Sequence, residues 1–90
     1  MPETRVTIAS EVGLHARPAA AFVQAAAKQP CQVSIGRVEG ALVNAKSMLA
    51  VLSLALKHGE EVVLHTEGAE AEAALADLAD LLARDLDAVS

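Results

Sequence analysis

Gly13-Leu14-His15-Ala16-Arg17-Pro18-Ala19 is where the chain turns from a strand into a helix. Upstream, Arg5 to Ser10 alternates, with Val6 and Ile8 on one face, and reads as a short strand that Gly13 breaks. Downstream, about Ala16 to Lys28 is alanine-rich, and Ala19, Phe22, Val23 and Ala26 form one stripe at helical spacing. Pro18 fits the first turn of that helix, because a proline there gives up an N–H that lacks an intrahelical partner anyway. His15 therefore falls at or next to the N-cap, beside unpaired backbone N–H groups at the positive end of the helix dipole. Such a terminus is an anion site. A helix start favours Asp or Glu by roughly 0.3–1 kcal/mol, yet this first turn carries Arg17 and no acid. A guanidinium aimed at a phosphate, gripped through two parallel hydrogen bonds, resolves the conflict.

Working outward, Pro30 stops the first helix, and Cys31 to Arg37 alternates again. Cys31, Val33 and Ile35 share one face; Gln32, Ser34 and Gly36 share the other, which predicts a sheet with one wet face. Gly40 marks a turn into a short strand, Ala41 to Asn44. A second helix is expected from about Ser47 to Lys57, with His58 at its C-terminal end and Gly59 as its stop. Its apolar residues, Met48, Val51, Leu52, Leu54 and Ala55, cover more surface than one buried stripe needs. Glu61 to Thr66 reads as a strand with Val62 and Leu64 inward and His65 on the open face. After Gly68 a last helix is expected from about Glu70 to Leu86. Its stripe is Ala71, Ala74, Leu75, Leu78 and Leu82, with Glu72, Asp77 and Asp80 in water. The order β-α-β-β-α-β-α, without repeat or linker, predicts a single domain over residues 1–90, a two-layer α+β fold.

Composition narrows the function classes. The 90 residues carry 12 acidic and 7 basic side chains, a net charge of −5, and Phe22 is the sole aromatic residue. A negative chain without stacking platforms argues against nucleic-acid binding. The core must be aliphatic. A single cysteine, Cys31, excludes an internal disulfide, suits a reducing cytoplasm, and reads as a small buried hydrophobe. Met1-Pro2-Glu3-Thr4 lacks a signal-peptide core, and no apolar run is long enough to span a bilayer. The expectation is a cytoplasmic protein that is not membrane-embedded. Convergence of His15, His58, His65 and Cys31 on a metal is not expected from this topology, and no cofactor is implied.

With a second block, Asn44-Ala45-Lys46-Ser47-Met48-Leu49, the chain resembles the HPr family, the histidine-containing phosphocarriers of the bacterial phosphoenolpyruvate:sugar phosphotransferase system. Both blocks stand at the family's spacing and in its element order, so the resemblance covers nearly the whole chain. It implies an open-faced β-sandwich: a four-stranded antiparallel sheet in order 1-4-2-3, covered on one face by three helices. It implies a carrier rather than an enzyme, since its own histidine is both substrate and product. His15 would accept a phosphoryl group from phospho-Enzyme I on Nδ1 and pass it to sugar-specific IIA domains. Ala16 and Arg17 would bind the phosphoryl oxygens. Ser47 matches the serine that HPr kinase/phosphorylase modifies in many Gram-positive members, and Lys46 precedes it as in regulated members. Gln24 and Ala27 stand where some members place docking lysines.

The residues support this chemistry independently. A neutral imidazole is a competent nucleophile near pH 7, and a helix start and a nearby arginine both disfavour its protonated form. Each 1.4 kcal/mol shifts a transfer equilibrium about tenfold, so an exposed site with few contacts suits a carrier better than a deep pocket. Ser47 also reads as the N-cap of the second helix whether or not it is modified. Met48, Leu49 and Leu52, with Ala16 and Ala20 beside them, read as an exposed apolar docking patch, whereas Val51 and Leu54 read as core. Docking through one face is expected of a monomer. A paralogous carrier in a nitrogen-related or dihydroxyacetone-kinase chain would differ only in partners. A small-molecule-binding regulatory domain of similar architecture would need a pocket and would leave Arg17 unexplained. A relative that acts only through Ser47 would lack the histidine.

Overall fold

Residues 3–8 and 16–83 are described by a computed structural model. Strand β4, Glu61–Glu67, lies inside the sheet and shows how its two faces differ. Val62, Leu64 and Thr66 are buried, and they alternate with exposed Glu61 and Glu67 and half-buried His65. Side chains of a strand point to opposite faces in turn. Strands β1 (Glu3–Thr7) and β2 (Gln32–Arg37) flank β4, and β3 (Val43–Asn44) pairs with β2. All pairs are antiparallel, in the order β1-β4-β2-β3. Ser34 and Glu3 lie opposite His65 from either side, which fixes the register across the middle of the sheet.

Helices α1 (Ala16–Ala27), α2 (Met48–Ser53) and α3 (Ala71–Leu82) complete the second layer. Ala19, Phe22 and Ala26 of α1 meet Val33, Ile35, Val62 and Leu64 of the sheet and Ala74, Leu78 and Leu82 of α3 in one core. Val23 and Leu75 pack partly buried against it, and Cys31 is buried. Phe22, the one aromatic side chain, is fully buried, and full burial of such a side chain contributes about 1.5–3 kcal/mol. Thr66, the buried polar side chain of the core, donates its hydroxyl to the carbonyl of Ala71 at 2.7 Å. That bond ties the sheet to the start of α3. Glu70 precedes this helix in the left-handed region, with φ +57°, and its side chain makes no capping bond.

The second helix is shorter than its sequence predicts, ending at Ser53 rather than Lys57. Burial of Leu56 in the core overrides the helical propensity of Ala55, Leu56 and Lys57. The amides of Leu54 and Ala55 bond back to Val51 and Leu52, three residues earlier, which tightens the last turn. Ala55 then enters the left-handed region at φ +50°, and Leu56 turns into the core, 1% exposed. Gly59 is therefore not the helix stop. It sits at φ +84° in the turn leading to β4 and donates its N–H to Ile8. His58 lies in the same turn, not at a helix end.

Other boundaries shift as well: β3 is Val43–Asn44 rather than Ala41 to Asn44, because residues 41–42 fold over Gly36 instead of pairing. β1 starts at Glu3 and ends at Thr7, although Ile8 continues inward and is buried as Val6 is. Positions 9 and 10 of the expected first strand lie outside the described residues. α3 ends at Leu82 with Ala83 as its cap, and positions 84–86 of the expected helix also lie outside them. The outer face of the sheet is not uniformly wet, since Gly36 and its register partner Val63 are both buried. A Cβ on Gly36 would stand 2.5 Å from the carbonyl oxygen of Ala41 and 3.0 Å from Leu42, because residues 41–42 fold over this point.

Candidate functional site

The first candidate element is the start of α1. The helix begins at Ala16, and its first turn contains Arg17 and Pro18 and no acidic residue. Pro18 is fully buried and Arg17 is exposed. Both residues stand in the first turn of the helix, where the sequence puts them. His15, the residue before the helix, lies outside the described residues, as does the side chain of Ala16. Ala19 is buried and Ala20 is half-buried on the same helix.

The second element is the run from Asn44 to Ala50. Asn44 accepts from the N–H of Lys46 through its side-chain oxygen at 3.0 Å, and from the N–H of Ser47 through its carbonyl at 3.1 Å. Ala45 is fully buried and donates its N–H to Val33 at 2.9 Å. Lys46 reaches across to α1's exit and donates from Nζ to the carbonyl of Gln29 at 2.9 Å. Ser47 is the N-cap of α2: its backbone is extended, and its Oγ accepts from the N–H of Ala50 at 3.2 Å. The block thus joins the end of α1, strand β2 and the start of α2. A lysine bonded to a carbonyl at a helix exit also suits the negative end of the dipole.

α2 presents the apolar side chains. Leu49 is 81% exposed and Leu52 is 36% exposed, while Val51 between them is fully buried. Met48 is half-buried and packs against the core with Leu54, so it offers only part of its surface outward. α1 and α2 contact each other, which places the half-buried Ala20 on the helix beside this patch. Leu42, 40% exposed in the segment before β3, is a further large apolar side chain in solvent, and its exposure was not signalled by spacing.

Sequence reasoning also missed a polar cluster at the end of α2. Arg37 donates from Nε to Oε1 of Glu60 at 3.2 Å and from Nη2 to Oε2 at 3.1 Å. The same Nη2 donates to the carbonyl of Ala55 at 3.3 Å. Glu60 Oε2 accepts from the N–H of Lys57 at 2.8 Å. The Lys57 N–H first, and the Arg37 hydrogen bond second, hold the Glu60 carboxyl below its ordinary value of 4.5 against the opposing pull of burial. Arg37 and Glu60 are each ordinary surface charges 23 positions apart, and no local pattern pairs them.

An open groove of about 370 Å³ lies along β2 and β3, lined by residues such as Gln32, Ser34, Leu42, Asn44 and Lys46. It includes neither Arg17 nor Ser47. Among the described residues, no three His, Cys, Asp or Glu side chains form a group able to hold a metal ion. No helix among them is long and apolar enough to cross a membrane.

The comparisons with known proteins agree with the two blocks and the strand order. The family model for the PTS HPr component phosphorylation site matches residues 2–84. The phosphocarrier protein HPr of Streptomyces coelicolor is 49% identical over 87 residues, covering 97% of this chain and 94% of that protein. That of Haloferax volcanii is 52% identical over 81 residues, covering 89% of this chain and 91% of its own. The crystal structure of HPr-C-His from Thermoanaerobacter tengcongensis matches with a TM-score of 0.90 at 39% identity, covering 97% of each chain. An HPr structure from Bacillus anthracis gives a TM-score of 0.85 at 41% identity, covering 90% of this chain and 95% of that one. A motif in two blocks, a four-stranded sheet in the order 1-4-2-3 and relatives matched over most of their length lead to one assignment: the chain belongs to the HPr family, the phosphocarrier proteins of the phosphotransferase system.

Proposed function

We propose that this protein carries a phosphoryl group on Nδ1 of His15, taking it from phospho-Enzyme I and handing it to sugar-specific IIA domains. The observation that carries this reading is the position of α1, which begins at the residue following His15 and holds exposed Arg17 and buried Pro18 in an acid-free first turn. In the transfer, the imidazole lone pair attacks phosphorus. The N–P bond at His15 forms as the donor's bond to phosphorus breaks, and the donor keeps that electron pair. The N–H groups at the start of α1, including that of Ala16, and the Arg17 guanidinium stabilise the phosphoryl oxygens. When a partner closes over the site and excludes water, Arg17 also stabilises the charge spread in the transition state. Few contacts and an open setting keep the exchange near balance, which a carrier requires.

The partner surface in this reading is centred on Leu49 and Leu52 of α2, with Met48, Ala20 and Ala16 at its rim. Apolar exposure of this kind beside an active helix marks a docking face. Ser47 serves as a regulatory phosphorylation site for a kinase of the HPr kinase/phosphorylase type. A phosphate on a helix cap is well placed for the dipole and badly placed for an apolar interface. One domain spanning 1–90, acting as a cytoplasmic monomer, completes the proposal.

Phosphorylation by Enzyme I and phosphoenolpyruvate, followed by intact mass, tests the reading beside a His15→Ala control. One acid-labile phosphoryl group on the wild type and none on the control is the expected result. A folded wild-type protein that gains no mass, with Enzyme I active on another HPr, overturns it.

A further inference from the structure

The end of α2 is held in a conformation that its own sequence does not favour. Six residues form this helix, too few to be stable alone, so its ends decide how it sits. At its start, the Ser47 cap and the Lys46 bond to Gln29 fix the entry. At its exit, Ala55 adopts φ +50°, a region an L-residue with a Cβ avoids. The carbonyl of this strained residue is the one that Arg37 Nη2 grips. Arg37 belongs to β2, and its other bonds run to Glu60, which in turn receives the Lys57 N–H. Glu60 and Gly59 are themselves paired to Ile8 through backbone hydrogen bonds of 2.9 Å each way. The cluster therefore pins the helix exit to the sheet.

We propose that Arg37 and Glu60 are positioning residues for partner docking: by holding the Ala55 carbonyl they fix where α2 ends, and so how Leu49 and Leu52 are presented. The inference rests on the reading that this face receives Enzyme I. Leu52 is both part of the patch and the acceptor of the Ala55 N–H, so a change at Ala55 passes directly to the apolar surface. Arg37 contacts neither Arg17 nor Ser47 in any of its three hydrogen bonds, so the effect falls on recognition and leaves the chemistry alone.

The test is steady-state phosphorylation by Enzyme I of Arg37→Gln and Glu60→Gln, alone and combined with Ala55→Gly, at a temperature where melts show every variant folded. Glycine takes positive φ without strain, so it removes the need for the clamp. Arg37→Gln is expected to raise KM about three- to tenfold with kcat within twofold, the ordinary net worth of one exposed hydrogen bond. The Ala55→Gly background is expected to bring KM back to within about twofold. Amide exchange supplies a readout independent of activity: the Ala55 N–H of Arg37→Gln should exchange several times faster than in the wild type. An unchanged KM on an active wild-type background overturns the proposal, and so does a fall in kcat, or a raised KM that glycine does not restore. If the wild type accepts no phosphoryl group, the functional reading itself fails. An unaltered Ala55 exchange rate would separately show that the clamp holds nothing.

Discussion

Ser47 is the residue at which a structural role and the proposed regulatory one can be separated by chemistry. Its Oγ accepts the Ala50 N–H at 3.2 Å in a half-buried setting, at the head of a six-residue helix. The first four N–H groups of a helix have no intrahelical acceptor, which in α2 is most of the donors it has. Ser47→Ala strips the Ala50 N–H of its partner and costs about 1 kcal/mol, within a range of roughly 0.5–2. For a domain of this size that lowers Tm by about 4–8 °C. Ser47→Asn keeps a capping oxygen and should melt with the wild type; Ser47→Asp keeps one too and should melt a few degrees higher, gaining roughly 0.3–1 kcal/mol from the dipole. Phosphoryl acceptance should sort the same three variants differently. Asparagine adds no charge, whereas aspartate places a carboxylate next to Leu49, to be desolvated whenever an apolar partner face closes. About 1.4 kcal/mol of that penalty would raise KM about tenfold. Urea unfolding and Enzyme I kinetics on the same preparations decide the matter. Equal stability of Ser47→Ala and wild type would refute the cap energetics. Equal KM for the aspartate and asparagine variants would refute the docking argument.

Arg17→Ala should slow phosphoryl transfer about ten- to a hundredfold while leaving the fold intact, because an exposed arginine is no part of the core; a rate within twofold of wild type would remove it from the site. Gly36→Ala puts a Cβ 2.5 Å from the backbone oxygen of Ala41, so urea unfolding should show a loss of about 1–3 kcal/mol as residues 41–42 are displaced. Thr66→Val keeps the shape and deletes the 2.7 Å hydroxyl bond to the Ala71 carbonyl, a loss of about 1–2 kcal/mol by the same assay. For Glu60 the folded carboxyl lies below its ordinary 4.5, so its contribution is complete above that value and disappears as pH falls through the lower, folded one. Unfolding curves taken downward from about pH 6 should therefore converge for wild type and Glu60→Gln, and a gap that stays constant into acid would contradict the linkage.

What could be read in advance from this chain follows from how far each determinant reaches. Val33 and Ile35, or Val62 and Leu64, declare their strands because alternation and burial are written within a few residues of each other. Ala19, Phe22 and Ala26 declare α1 in the same way. The start of that helix is also legible, since an arginine in an acid-free first turn breaks a local rule and needs a chemical reason. The end of α2 is different. Ala55, Leu56 and Lys57 favour a helix, and what stops it is the burial of Leu56 in a core assembled from distant elements, together with a hydrogen bond from Arg37, 18 positions away. The cover over Gly36 and Val63 is equally non-local, because it comes from residues 41–42 folding across the outer face. Lys46 looks like any lysine before a serine until its Nζ is seen on the Gln29 carbonyl. The motif blocks thus say where an anion should sit, while pairs far apart in sequence set the shape of the surface around it. Substitutions at His15 or Arg17 should therefore act on the transfer step, and substitutions at Arg37 or Glu60 on recognition.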